Sequence, residues 1–231
     1  MNTPHEQRAF DALATVARFR MLLRRQIKRW KFPLVSDTIV KRWTDRMQAA
    51  GYLGTERSAR NGVQYLWCTQ KGRDVLVEHG YQAADLFPAR GPVAAKDLQH
   101  TLYTVDAAIA LHERSNGADA LYPAWALQRL YGGSLRAVPD LLALSAGGYG
   151  TDAKAVAVEV DLSTESHRVV VAKFVALEMW LRPYSVRSSA AILVLTNGRR
   201  RRGSLAAALA RARVEIPFAV DLLETFTAIS P

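Results

Sequence analysis

Hydrophobic residues near the start of the chain recur at helical spacing in three successive segments. The pattern predicts helices over residues 5–17 and 19–30, with Pro33 ending the second of them. A third helix is expected to follow Ser36, a suitable N-cap residue, and to stop at Gly51. Its spacing gives one apolar face for a core and one polar face for solvent. The apolar face comprises Ile39, Val40, Trp43 and Met47, and the polar face comprises Thr38, Lys41, Arg42, Asp45 and Arg46.

The pattern then changes to strand alternation across the segment GYLGTERSARNGVQYLWC. Two short strands around Asn61 and Gly62 predict a β-hairpin, because Asn-Gly favours the turns that join antiparallel strands. Arg57 and Arg60 lie near the tip of this hairpin, and Thr69 is suited to cap a fourth helix behind it. Three helices followed by such a ribbon resemble winged-helix regulators, in which the ribbon touches DNA beside a recognition helix.

A segment with two prolines and a glycine, FPARGPVAAKD, interrupts the periodicity and predicts a domain boundary after residue 92. Helical and strand patterns alternate beyond it, and the apolar run around Ile192 is typical of a strand covered on both faces. The fold class is therefore predicted to be α/β, with one domain over residues 1–92 and a mixed-sheet domain over residues 93–231. In the second domain we predict helices over 96–114, 165–181 and 204–213 and strands over 136–144, 155–164, 190–197 and 218–224.

Basic charge is distributed unevenly along the 231 residues, whose formal net charge is +10. Residues 1–92 contain 16 basic and 8 acidic residues, whereas residues 93–231 contain 15 and 13. A basic winged helix predicts double-stranded DNA as the partner, the alternative being a solvated charged surface. The predicted DNA contacts are Thr38, Lys41, Arg42, Arg46, Arg57 and Arg60, together with Arg199, Arg200, Arg201 and Arg202 in a basic loop ahead of a helix capped by Ser204.

Cysteine usage and hydropathy indicate the compartment. The single cysteine, Cys68, excludes an internal disulfide and a cysteine-based zinc cluster, and its apolar surroundings favour a core position. No apolar run approaches the roughly 20 residues that a membrane-spanning helix needs, and the polar N-terminus is unlike a secretion signal. We therefore expect a cytoplasmic protein without a membrane partner.

Two carboxylates stand within the predicted strands of the second domain. Asp140 follows Pro139, and Glu159 lies between Val158 and Val160 in an otherwise apolar strand. Pro-Asp followed at a distance by such a glutamate is similar to the motif of restriction-endonuclease-like folds. There the two acids and a backbone carbonyl, here that of Val160, bind Mg²⁺, which activates water and offsets charge on the scissile phosphate. The alternative is a structural role, since acids at strand ends often cap turns.

The residues around this motif depart from the usual pattern at one position. Active enzymes of this fold have a lysine two residues after the second acid, whereas this chain has Asp161, which disfavours catalysis. Lys173, on the following helix, could supply the missing cation, or it could extend its amine to solvent. Asp161 could instead join Asp140 and Glu159 as a third metal ligand, and His167 is a further candidate base.

Three segments, HTLYTVDAAIALHE, VPDLLAL and VEVDLSTES, the last with a following Lys-Phe, make the chain resemble the replication-relaxation family of plasmid and mobile-element proteins. The resemblance implies a winged helix, a restriction-endonuclease-like domain and a role in plasmid replication, mobilisation or its regulation. It also implies an alternative as a Mg²⁺-dependent DNA nickase, or relaxase, acting through Asp140 and Glu159. A transcription regulator whose second domain dimerises or binds a partner is a further alternative. A second copy of the chain and other replication or mobilisation proteins are candidate partners beside DNA.

Overall fold

The computed structural model describes residues 4–59, 62–89, 91–115, 120–134, 136–144, 153–185 and 189–228. The chain forms two compact units, residues 1–105 and 106–231. The division therefore falls within a long helix, later than the boundary we predicted after residue 92. No helix in the described ranges is long and apolar enough to span a bilayer.

The first unit contains helices and a two-stranded antiparallel ribbon, as the periodicity predicts. Its elements are α1 (Pro4–Arg18), α2 (Arg24–Lys31), α3 (Asp37–Ala49), β1 (Leu53–Arg57), β2 (Gln64–Cys68), α4 (Gln70–Glu78), a 3₁₀ turn (Ala83–Asp85) and the first part of α5 (Ala95–Arg114). Leu22, between α1 and α2, extends the ribbon, because its backbone N–H and C=O both bond to Leu66 at 2.9 Å.

The core of the first unit explains why it continues beyond residue 92. Met21, Leu23 and Tyr65 form a buried cluster with Val93, Leu98 and Leu102, which follow the Pro/Gly segment. The Gln26 side chain also donates a hydrogen bond to the Leu102 carbonyl at 3.0 Å. These contacts fasten the start of α5 to the helices and ribbon, so the Pro/Gly segment lies inside the unit.

Helix α3 has the amphipathic character that we predicted, with one exception. Val40, Trp43 and Met47 are buried, but Ile39 is 43 % exposed, so its assignment to the core face is wrong. Thr44 is buried in its place, and its hydroxyl donates to the Lys41 carbonyl at 2.8 Å, which satisfies the polar group locally. Ser36 occupies the N-cap position without a capping hydrogen bond from its side chain.

The ribbon pairs Leu53 with Cys68 at one end and Arg57 with Gln64 at the other. β1 ends at Arg57 and β2 begins at Gln64, so the connection between them is longer than the two-residue turn that the Asn-Gly pair suggests. Gly62 adopts the left-handed φ of 68°, which glycine accepts without strain. Arg60 and Asn61 lie outside the described residues.

The start of α4 depends on two residues of the segment TQKG. Thr69 caps the helix as predicted: its hydroxyl oxygen accepts from the Gly72 N–H at 3.1 Å and its O–H donates to the Gly51 carbonyl at 2.6 Å. Gly72 is packed so tightly that a Cβ atom would lie 2.3 Å from the Tyr52 carbonyl oxygen. The cap and the glycine together allow α4 to pack directly against the start of the ribbon.

The second unit is built on a five-stranded mixed sheet in the order β3-β4-β5-β6-β7, which confirms the predicted α/β class. Pairing is antiparallel from β3 to β5 and parallel from β5 to β7. The elements are β3 (Ala120–Pro123), α6 (Ala124–Tyr131), a 3₁₀ turn (Gly132–Ser134), β4 (Leu141–Leu144), β5 (Ala153–Asp161), α7 (His167–Ser185), β6 (Ser189–Thr196), α8 (Arg199–Arg211), β7 (Phe218–Leu222) and α9 (Leu223–Thr227).

Small side chains on β5 allow helices to pack closely on one face of this sheet. Ala155 and Ala157 are buried in a cluster with side chains of both α7 and α8. Side chains alternate along a strand, so Glu159 and Asp161 are placed on this same helix-covered face. The α7 and α8 members of the cluster are Val170, Phe174, Leu177, Leu181, Leu205 and Leu209.

Helix α8 starts earlier than the sequence indicates. It begins at Arg199, after Gly198 with φ 79°, instead of at Ser204. The arginine run therefore belongs to a helix, and our assignment of it to a loop is wrong. Arginine has a good helix propensity, whereas Ser204 inside the helix bonds its hydroxyl to the Arg201 carbonyl at 3.0 Å instead of capping.

Candidate functional site

Asp140 is held at the point where β4 begins. The first paired residue of β4 is Leu141, opposite Val158, so Asp140 precedes the ladder. Its carboxylate Oδ2 accepts a hydrogen bond from the Val160 N–H at 2.8 Å, and its carbonyl accepts from Ala124 N–H at 3.0 Å. These bonds fix the Asp140 carboxylate beside the segment of β5 that carries Glu159.

Glu159 is a buried acid, with 6 % of its surface exposed. Its Oε1 atom has no hydrogen-bond partner among the residues that the structure describes. Burial raises the pKa of Glu159 well above its ordinary value, and the nearby Asp140 charge raises it further, while Lys173 acts in the opposite direction. The two acids therefore form a site that would gain from an added cation.

Lys173 reaches this pair of acids from α7. Its Nζ lies 2.9 Å from Glu165 Oε2 and 3.9 Å from Glu159 Oε2. Burial alone would lower the pKa of Lys173, but Glu165, Glu159 and Asp140 outweigh it and the net shift is upward. The amine therefore stays protonated beside Glu159. It supplies the positive charge that Asp161, two residues beyond Glu159, cannot supply. We call Asp140, Glu159, Glu165 and Lys173 the carboxylate–lysine cluster.

Asp161 is turned to different partners. Arg201 donates to both of its carboxylate oxygens, at 2.7 and 3.1 Å, and the Thr196 hydroxyl and Ser163 N–H donate at 2.9 and 3.2 Å. Burial would raise the pKa of Asp161, but the bonds from Arg201 and Thr196 outweigh it and lower the pKa. With its oxygens occupied in this way, Asp161 is an ion-pair partner of α8 and is not placed to act as the third metal ligand that we considered.

The cluster fits a hard divalent cation only through two of its acids. Within the described part of the chain, no group of three or more His, Cys, Asp or Glu side chains is arranged to hold a metal ion. Mg²⁺, however, is commonly held by one or two carboxylates, with water and phosphate oxygens completing its shell. Asp140 and Glu159, with the unpartnered Oε1 atom of the latter, meet that smaller requirement.

The four arginines at the start of α8 have different environments. Arg199, Arg200 and Arg202 are exposed, whereas the Arg201 side chain is 15 % exposed and paired with Asp161. Arg201 also donates to the Glu165 carbonyl at 2.7 Å, so it fastens the segment that carries the partner of Lys173. Arg201 is therefore a structural residue, and only its three neighbours present charge to solvent.

The predicted DNA-contact residues of the first unit lie at its surface. The set described by the structure, all exposed, comprises Thr38, Lys41, Arg42, Arg46 and Arg57. Lys41 pairs with Asp45 at 2.6 Å along α3, an exposed pair of small energetic weight. Arg60 lies outside the described residues. Arg42 and Arg46 are thus the residues of α3 best placed to meet a polyanion.

Two other chemically active side chains have local roles. Cys68 is buried, and burial raises the pKa of its thiol to about 12, so it is not a reactive thiolate at neutral pH. His167, a candidate base, lies at the start of α7 with its Nε2 2.9 Å from the Ser204 hydroxyl. Neither residue belongs to the carboxylate–lysine cluster.

The sequence did not predict the ion pair of Glu165 or the role of Arg201. Glu165 precedes α7, and its separation of eight residues from Lys173 gives no hint of an ion pair unless the intervening turn is known. Arg201 is indistinguishable from its neighbours in a run of four arginines. A run that begins a helix would place its members on different sides, and this is the signal that could have separated them.

We expect Glu159→Gln to stabilise the second unit increasingly as pH rises. The raised pKa means that, above the ordinary value of 4.5, the unfolded chain loses this proton while the folded protein keeps it. Wild-type stability therefore falls with pH until the folded-state pKa is reached, and the glutamine variant avoids that loss. Urea unfolding between pH 5 and 8 would measure the difference. Glu224→Gln, at an exposed site, is the control, and a difference that shrinks with rising pH would contradict the expectation.

The chain is thus a mixed α/β protein with an exposed basic helix in its first unit and a carboxylate–lysine cluster in its second. The model of the replication-relaxation family matches residues 13–178 of the chain, which therefore belongs to that family. No curated protein and no solved structure gives a significant match.

Proposed function

We propose that the protein binds double-stranded DNA through α3 and the β1–β2 ribbon, and that it acts in this way in plasmid or mobile-element replication or mobilisation. Membership of the replication-relaxation family suggests that role. The observation that carries the DNA-binding proposal is the exposed face of α3, where Arg42 and Arg46 lie opposite the buried Val40, Trp43 and Met47. The core contacts hold this helix rigidly while its basic side remains available.

The order of elements in the first unit supports the same proposal. We propose that this unit is a winged helix, and three helices, an antiparallel ribbon and a backbone bridge from Leu22 to Leu66 support that proposal. In such domains the third helix enters the major groove and the ribbon meets the adjoining backbone or minor groove. Among the ribbon residues that the structure describes, Arg57 is exposed at the end of β1 and is placed to meet phosphate.

The second unit offers a further phosphate-binding surface. Arg199, Arg200 and Arg202 project from the first turns of α8 without a carboxylate among them. The N-terminal end of a helix also favours anions, because its backbone N–H groups and dipole are positive there. These three arginines would hold DNA backbone at the unit that carries the carboxylate–lysine cluster.

We expect alanine at Arg42, Arg46 or Arg57 to weaken binding to duplex DNA, because each side chain would neutralise backbone phosphate. Removal of one phosphate-neutralising side chain should reduce the slope of log affinity against log salt by about 0.9. Fluorescence anisotropy with a labelled duplex at several salt concentrations measures both quantities. Arg8→Ala removes the same charge from an exposed position on α1 and should leave the slope unchanged. Equal effects at Arg8 and at the three test positions would refute a localised interface, and no affinity at low salt would refute the function.

A second candidate function is metal-dependent nicking of DNA in a restriction-endonuclease-like site. The observation that favours it is the approach of Lys173 to Glu159, with Asp140 held just before the neighbouring strand β4. Asp140 and Glu159 would hold Mg²⁺, which supplies an activated water and offsets charge on the scissile phosphate. Lys173 would stabilise negative charge near the attacking water, and Glu165 would keep the lysine in position.

A further inference from the structure

Apolar side chains are exposed at the end of the first unit where α3 begins. Leu34, in the connection from α2, is 98 % exposed, and Ile39, in the first turn of α3, is 43 % exposed. The apolar face of α3 is already complete without Ile39, because Val40, Trp43, Thr44 and Met47 cover the core. Ile39 therefore presents part of a branched hydrocarbon side chain to solvent from the helix that carries the basic surface.

Helical spacing aligns Ile39 with two of the arginines. Ile39, Arg42 and Arg46 stand at positions i, i+3 and i+7, so they follow one line along the exposed side of α3. An apolar group in line with two cations is complementary to a partner that carries negative charge and a hydrophobic group close together. The major groove of DNA has both, because phosphates border it and each thymine projects a C5-methyl group into it.

A membrane surface fits this arrangement less well. A helix that lies in a bilayer interface buries a wide apolar face, with basic residues on the opposite side. The wide apolar face of α3 is already packed in the core through Val40, Trp43 and Met47. The exposed side of α3 itself is predominantly polar and basic, with Ile39 as its single large apolar side chain, which is the composition of a groove-reading helix.

We propose that Ile39 is a specificity-determining residue that contacts thymine methyl groups and gives the protein a preference for thymine at one or two positions of its site. This inference rests on the proposed DNA-binding function and adds to it the base that one helix position reads. Arg42 and Arg46 then supply affinity through phosphate contacts, and Ile39 supplies discrimination between bases through hydrocarbon packing.

Replacement of thymine by deoxyuridine tests the inference, because it removes only the C5-methyl group. A preferred duplex is first selected from a random library with the full-length protein and then resynthesised with deoxyuridine at each thymine in turn. We expect wild-type affinity to fall about 4-fold at a contacted thymine, the equivalent of one buried methyl group. Ile39→Ala should bind the thymine and deoxyuridine duplexes equally well, with an affinity close to that of wild type for the deoxyuridine duplex.

Val77→Ala provides the matched control. Val77 lies in α4 and is 45 % exposed, close to the exposure of Ile39, so its truncation removes similar hydrocarbon from a position outside α3. This variant should keep the full preference for thymine over deoxyuridine, and circular dichroism of both variants checks that the fold is intact. If wild type does not distinguish the duplexes at any position, or if Ile39→Ala keeps the distinction, the inference is wrong while DNA binding stands. If wild type binds no duplex at low salt, both the proposed function and this inference are wrong.

Discussion

Asp140→Asn is expected to reduce Mg²⁺-dependent nicking of supercoiled plasmid by at least about 100-fold while leaving DNA affinity nearly unchanged. The amide has the shape of the carboxylate and can still accept the Val160 N–H, so the start of β4 should keep its geometry. It lacks the negative charge that a hard cation requires. The loss therefore isolates the metal-binding step from folding and from DNA binding, and an agarose-gel assay of relaxed circles with Mg²⁺ or Mn²⁺ measures it.

Matched variants make this result specific to the carboxylate–lysine cluster. Asp221→Asn alters an exposed acid on β7 in the same unit and should nick at the wild-type rate. Lys173→Ala should also slow nicking, because the cation beside Glu159 is removed, and EDTA should stop the reaction of the wild-type protein. If wild type does not nick a plasmid carrying its selected binding sequence, or if Asp140→Asn nicks normally, the second candidate function is wrong.

The contacts of Asp161 and Lys173 bear on the objection to catalysis that the sequence raised. Asp161 would add negative charge where phosphate chemistry needs positive charge, if its carboxylate faced the site freely. Its charge is instead offset by Arg201, and Lys173 brings a cation to Glu159. The charge near Glu159 is thus set by Asp140, Glu165 and Lys173, and we therefore expect nicking despite the departure at Asp161.

Arg201→Ala is expected to lower the free energy of unfolding of the second unit by about 3 kcal/mol, because it leaves the buried Asp161 carboxylate without its charged partner. The Asp161 side chain is 5 % exposed and would also lose two of its hydrogen bonds. Arg200→Ala and Arg202→Ala, at exposed positions of the same helix, should change stability by no more than about 0.5 kcal/mol. Urea unfolding at neutral pH compares the three variants.

Two further measurements attribute the loss to the ion pair. Replacing both partners, as Asp161→Asn with Arg201→Gln, should cost less than the sum of the single changes, because no unpaired charge remains. The lowered pKa of Asp161 sets the pH dependence: the stability it contributes is present above its unfolded-state pKa and is lost as pH falls through the folded-state value. The Arg201→Ala penalty should therefore shrink in acid. Equal penalties at all three arginines would contradict the structural role of Arg201.

Local sequence signals were sufficient for most elements. Helical periodicity located α3, and Thr69 predicted the cap of α4, because capping and amphipathic spacing involve residues within one or two turns. The same locality explains the error at α8. Ser204 is a typical N-cap residue, but the helix begins earlier, at Arg199, and runs through the arginines. Asp140 and Glu159 could be identified as a pair because a short motif carries them, although nothing local shows the hydrogen bond to Val160 that orients Asp140.

By itself, then, the sequence determined the α/β class, the basic character of the first unit, the polar side of α3 and the two acids of the candidate site. Only the tertiary structure decided which residues of the same type have different roles. It paired Arg201 with Asp161 and left Arg200 exposed, and it brought Lys173 to Glu159. It also turned Ile39 outward and extended the first unit into α5. The reason is that periodicity reports only a residue's own element, whereas burial and charge pairing depend on which distant elements pack against it.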